Sequence, residues 1–196
     1  YKKPIKWYSI PQLFRYERQQ KGRLREHFQF NADIIGEEHL AADAELIALL
    51  IDTLRDLKLT SDDFVVRLSS RRAWQDFFGN GGGQEKDAYG FYQLIDKLDR
   101  EDPAVSGDKL AKLGFSLEQV NDFIESGQPT DELAAIIGNI EARGLGDFIK
   151  IDYNVIRGLA YYTGVVYEAF DHHRKFRAIA GGGTWRHRAS CHRSVP

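Results

Sequence analysis

The chain has 196 residues, 42% of them hydrophobic and 29% charged, and a net charge of −2. That suffices for one or two cored domains of ordinary soluble composition and excludes a protein that coats nucleic acid by bulk charge. One cysteine excludes an internal disulfide framework and points to a reducing, cytoplasmic setting, and no apolar run reaches the length of a membrane span.

Residues 5–17 read as extended, because Pro4 and Pro11 are unwelcome inside a helix. The polar loop RQQKGRL (18–24) follows, and 25–35 returns as a strand, so the two form a long antiparallel hairpin. Side chains alternate across a strand. Phe14, Tyr16, Phe28, Phe30, Ala32 and Ile34 therefore share one face, expected to pack on a hydrophobic layer. Arg15 and Glu17, and then Arg25, His27, Gln29, Asn31 and Asp33, fall on the other. Guanidinium forks match phosphate and carboxylate oxygens, while Gln29 and Asp33 suit a ligand with amine or imidazole donors. The same alternation describes a solvated sheet face with incidental charge, and the pattern alone leaves both open.

In AADAELIALLIDTLRDLK (41–58), Leu46, Leu49, Leu50, Leu54 and Leu57 keep helical spacing, with Asp43 and Glu45 near the start. DFVVRLSS (63–70) reads as a strand, and RRAWQDFF as a helix that stops at Gly79, its Trp74, Phe77 and Phe78 reading as core. GNGGG (79–83) lacks the Lys-Ser/Thr that completes a phosphate loop and reads as a flexible connector. Short helices are expected near 87–100, 106–113, 116–126 and 130–143, with Ser116 and Thr130 as N-caps and Gly127 and Gly144 closing ends. FIKIDYNVIRG and LAYYTGVVYEAF restore β character.

The expected architecture is α+β, an antiparallel β-sheet flanked by helices. Residues 1–78 and 149–183 form its core, 79–148 a small helical insertion, and 184–196 an atypical tail. His172 and His173 read as a solvated turn. His187, Cys191 and His192 lack a fourth ligand, so no metal site is expected.

Three stretches carry a family resemblance, over roughly residues 5–183. FRYERQQKGRLREHFQFNADIIG (14–36) closely resembles motif 2 of class II aminoacyl-tRNA synthetases, in the form that histidyl-tRNA synthetases use. RGLAYYTGVVYE (157–168) is similar to that family's histidine signature, and AGGG (180–183) to the glycine-rich strand that follows it. The resemblance implies a class II synthetase-like sheet. It further implies activation of histidine by ATP with Mg2+, transfer to tRNA(His), and a homodimeric full-length protein.

By the same resemblance Arg15 and Arg157 would be the catalytic arginines. Arg15 would hold the ATP α-phosphate and the histidine carboxylate, and Arg157 would face that phosphate. Glu17 would contact adenine and Arg23 the outer phosphates. His27, with Phe28 beside it, would stack on the base. Gln29, Asp33, Arg157, Tyr161 and Tyr162 would bind histidine. Attack on the α-phosphorus builds negative charge that preorganised cations stabilise, and an ionised carboxylate needs no base to activate it.

Two departures stand out. Ala160 occupies a position where the family has aspartate, and AGGG is followed by TWRHRASCHRSVP instead of R-Y-D. That tail looks like a stretch read out of frame or a cloning remnant. A chain that starts at Tyr1 and contains no methionine is expected to be a piece of a longer protein and a weak catalyst by itself. The alternatives are a histidine-sensing regulatory subunit of ATP phosphoribosyltransferase and a tRNA sensor without turnover. The complete FRYERQQKGRLRE stretch favours the enzyme, and Ala160 the regulator.

Overall fold

The structure, a computed structural model, describes residues 2–16, 24–98, 101–155, 162–173 and 177–185. Strand β1 (Ile5–Ser9) pairs antiparallel with β4 (Asn31–Ile35), and β2 (Gln12–Phe14) with β3 (Glu26–Phe28). The expected hairpin is present, but as two short ladders. Pro11 has no N–H to contribute to a ladder. Its carbonyl instead accepts from Gln29 N–H at 3.1 Å, and pairing resumes on either side of that bond.

The expected burial of the aromatic face is corrected by the structure. Phe14, Tyr16 and Phe28 are 72%, 99% and 71% exposed, and Phe30 is also exposed. Leu13, Arg15 and His27, on the opposite face of the same ladder, are the half-buried ones. Only Ala32 and Ile34 of the expected apolar set are half-buried. Helix α1 (Ala41–Asp56) packs against β4, the strand that carries those two residues. Lys6, opposite Ile34, pairs there with Glu45 of the helix at 2.5 Å.

The buried stripe of α1 is Ala44, Ile47, Ala48, Ile51 and Leu54. Of the expected leucine stripe Leu54 is buried, Leu46 and Leu50 are half-buried, and Leu49 and Leu57 are exposed. Both stripes have helical spacing. The one bearing two alanines faces inward because α6 (Asp131–Ala142) packs closely against α1, with Leu133, Ile136 and Ile140 fully buried.

A four-stranded sheet has the spatial order β6 (Ile149–Ile151), β5 (Phe64–Ser70), β7 (Val165–Asp171), β8 (Ala180–Gly183). Bonds from His172 N–H to Asp63 O and from Arg71 N–H to Gly164 O make β5 and β7 antiparallel. Bonds from Ile179 N–H to Ala169 O and from Thr184 N–H to Val165 O do the same for β7 and β8. Phe64, Val65, Val66 and Leu68 of β5 are all buried, as a strand covered on both faces requires.

The chain divides into two compact units. One comprises Tyr1–Arg67, Asp131–Lys150 and Glu168–Gly181, the other Leu68–Thr130, Ile151–Tyr167 and Gly182–Pro196. Helix α6, which the sequence groups with the 79–148 insertion, thus belongs with α1. In the second unit α2 (Arg71–Asn80) starts at Ser70, whose Oγ accepts from Ala73 N–H at 3.2 Å. Trp74 is fully buried, and its Nε1–H donates to Tyr153 O at 3.2 Å.

Helices α3 (Ala88–Ile95), α4 (Pro103–Lys112) and α5 (Leu117–Ser126) complete that unit. Ser116 caps α5 through a reciprocal pair of bonds with Gln119, and Gly127 closes it at φ +56°. The glycine-rich run is a packed turn, not a free connector, since Gly81 and Gly83 lie against the rings of Phe115 and Phe78. Among the described residues no helix is long and apolar enough to cross a membrane.

Candidate functional site

Arg15 emerges from β2 with its own N–H bonded to Arg25 O at 2.8 Å and its Nε–H to Leu24 O at 3.1 Å. The side chain is thus tied to the opposite limb of the hairpin, which fixes the guanidinium plane at the base of the loop. Residues directly opposite in an antiparallel ladder share a face, so the Leu13–His27 pair sets His27 on the side of Arg15. The adjacent Phe28 lies on the other side, among the exposed aromatics. His27 Nδ1 is buried and has no hydrogen-bond partner among the described residues. Arg25 sets its guanidinium 5.8 Å from the Tyr16 ring centroid.

Gln29 lies in the gap between the two ladders, exposed, and its Nε2 donates to Asn31 Oδ1 at 2.5 Å. Asn31 and Asp33 stand opposite Ser9 and Trp7 and share a face of the next ladder. The structure therefore brings together two patches on one ribbon, Arg15 with His27 and Arg25, and Gln29 with Asn31 and Asp33. Asn31 carried no role in the sequence reading. Its parity with Gln29 and Asp33 was the available signal.

Tyr162 is half-buried in the second unit. Its ring covers Gly183 so closely that an added Cβ would lie 2.8 Å from Tyr162 Cγ and 2.9 Å from Val165 O. Gly182 is covered in the same way by Tyr167, whose Oη would be 2.6 Å from such a Cβ. Gly182 and Gly183 of β8 thus act as flat seats for two tyrosine rings, a role invisible in their spacing. Glu17, Arg23, Arg157 and Tyr161 lie outside the described residues, as do Ala160 and the tail from 186 onward. His172 and His173 are exposed in a turn after β7.

The sequence profile of histidyl-tRNA synthetases matches residues 1–191. The chain belongs to the histidyl-tRNA synthetase family. A histidine–tRNA ligase of Opitutus terrae is 41% identical over 206 residues, covering 94% of this chain and 47% of that protein. The chloroplastic/mitochondrial histidine–tRNA ligase of Arabidopsis thaliana is 36% identical, covering 93% and 41% respectively. The chain thus spans about half the length of the curated relatives it matches.

Among solved structures, the histidyl-tRNA synthetase from Nostoc sp. PCC 7120 superposes with a TM-score of 0.75 at 24% identity, covering 93% of this chain and 48% of that one. A chain of the ATP phosphoribosyl transferase complex from Thermotoga maritima gives 0.71 at 14% identity, covering 95% and 70%. At such identities the likeness is one of fold, and that fold is the α+β, class II synthetase-like one that the hairpin motif implied.

Proposed function

We propose that this chain is catalytic-core sequence of a histidine–tRNA ligase, which joins histidine to ATP as histidyl-adenylate and passes the histidyl group to tRNA(His). The observation that carries the reading is Arg15, whose two bonds across the hairpin orient a cation before any ligand arrives. A cation held in place costs no reorganisation when charge develops on a phosphate, and holding the two reactants in line does most of the remaining work. Arg157 supplies the opposing charge. Glu17 and Arg23 take the base and outer phosphates, and His27 stacks on the adenine.

Gln29 and Asp33 accept from the amino group and imidazole of histidine, and Tyr161 and Tyr162 wall the imidazole. Among the described residues no three His, Cys, Asp or Glu side chains gather to hold a metal ion. The reading takes Mg2+ as part of the substrate, brought in on the triphosphate, which suits an ion that prefers phosphate and water oxygens. The full-length protein acts in the cytoplasm as a homodimer.

Titration calorimetry of the chain with histidine, in the presence and absence of ATP–Mg2+, tests this. ATP is expected to tighten histidine binding at least about fivefold, the lower end of ordinary coupling between two sites, and Arg15→Ala to abolish the tightening. Histidine binding indifferent to ATP would overturn the ligase reading in favour of a histidine-sensing regulatory subunit.

A further inference from the structure

A groove of about 650 Å3 lies between α2 and α5, within the second unit. That volume suits a small organic ligand, for which pockets of roughly 300–1,000 Å3 are usual. Its floor is a row of aromatic rings at shallow mutual tilt. Phe115 and Phe77 are 5.6 Å apart at 32°, Phe77 and Phe123 are 4.7 Å apart at 30°, and Phe123 and Tyr153 are 4.7 Å apart at 25°. Phe115 and Tyr153 are buried, whereas the two middle rings are only half-buried and reach the surface.

The rim carries Asp76 on α2 and Asp122 on α5, both exposed, and the remaining polar lining is amide and hydroxyl. Among the described residues, no lysine, arginine or histidine lines the groove. Arg72 approaches Asp76 from the exposed side at 3.9 Å, with both side chains more than half exposed, a geometry that contributes little.

This combination discriminates by charge. An anion would meet two carboxylates and no compensating cation among the described lining residues. An ammonium is stabilised there by ion pairing with the rim carboxylates. An apolar body beside the charge covers ring surface that is otherwise wet. We propose that the groove binds a small organic ammonium whose apolar body lies on Phe77 and Phe123 and whose nitrogen is held at the Asp76–Asp122 rim. This inference does not depend on the ribbon or on the ligase reading.

Amide-resolved NMR of the whole chain, titrated with phenethylammonium, provides the test, with hydrocinnamate and phenethyl alcohol as anionic and neutral counterparts of similar shape. Saturable shifts are expected at Phe77, Gly81, Asp122 and Phe123 for the ammonium, and no saturation for the anion. The double variant Asp76→Asn with Asp122→Asn changes only exposed side chains. It is expected to weaken ammonium binding by about fivefold, as two exposed charge pairs allow, while leaving the alcohol unchanged. Equal binding of ammonium and anion would overturn the proposal. So would unchanged affinity in the double variant, shifts confined to other surfaces, or no saturation with any probe.

Discussion

Gly183→Ala probes the seat on which Tyr162 rests. An added Cβ would lie 2.8 Å from Tyr162 Cγ and 2.9 Å from Val165 O, where carbon contacts settle at about 3.5–4.0 Å. Forcing a methyl into such a space costs about 1–3 kcal/mol, partly offset by about 0.4–1 kcal/mol from a stiffer unfolded chain. A net loss of about 1–2 kcal/mol, at about 2–4 °C per kcal/mol for a chain of this size, lowers Tm by about 2–8 °C.

The two clashes can be separated. Val165 O is main chain and cannot swing away, whereas the ring can be removed. In a Tyr162→Ala background the cost of Gly183→Ala should therefore shrink by about 1 kcal/mol, as expected for side chains in direct contact. Urea and thermal unfolding of the four proteins measure this. A Gly183→Ala variant as stable as the parent, or costs that add within about 0.3 kcal/mol, would refute the seating of the ring on that glycine. Under the proposed function, histidine affinity also falls more for Gly183→Ala than for Gly182→Ala, whose neighbour is Tyr167.

Three further outcomes are expected. Trp74→Phe leaves the Tyr153 carbonyl without its donor and should cost about 1–3 kcal/mol, whereas Trp74→Ala should cost about 3–5 kcal/mol; urea denaturation ranks them, and a neutral Phe variant would refute the role of that bond. Ser116→Ala removes one half of the α5 capping box and should cost about 1 kcal/mol in the same assay, with no change in midpoint as the contrary result. The Thr60 N–H and hydroxyl both donate to Asp63 at 2.8 Å and hold its carboxyl below the usual carboxylate range. A folded-state value below the unfolded one stabilises above about pH 4 and is lost as pH falls through the depressed value. The stability advantage of the parent over Asp63→Asn should accordingly vanish on acidification, and a gap that widens at low pH in Tm measurements would be the opposite sign.

Features settled by neighbours in sequence are legible without coordinates. Ser116 followed three positions later by Gln119, and Gly127 after the last turn, mark α5 at both ends. The parity of Arg15, Gln29 and Asp33 marks the polar side of the ribbon. The orientation of α1 is different in kind. Ala44, Ile47, Ala48 and Ile51 compete with Leu46, Leu49 and Leu50 at the same periodicity, and the choice is made by α6, some eighty positions downstream, through close approach at the alanines. The bond from Trp74 to the Tyr153 carbonyl spans 79 positions, and no local pattern announces it. At the candidate site the interruption at Pro11 was signalled by proline itself, yet an uninterrupted alternation carries the aromatic face straight through it. Placement of His27 and Phe28 on opposite sides follows from strand geometry. Which side is the sheltered one does not, because that depends on tertiary packing and not on alternation along the strand.

The ribbon also bears on how this polypeptide behaves in a test tube. Among the described residues both of its ladders are two-stranded, so each strand there has a lateral row of main-chain donors and acceptors without a ladder partner. Trp7, Tyr8, Phe14, Tyr16 and Phe28 stand exposed along the same element. Open strand margins flanked by oily side chains are the usual seeds of self-association. Light scattering that climbs with protein concentration, and falls when Phe14 and Phe28 are exchanged for threonine, is the colloidal signature to anticipate during purification.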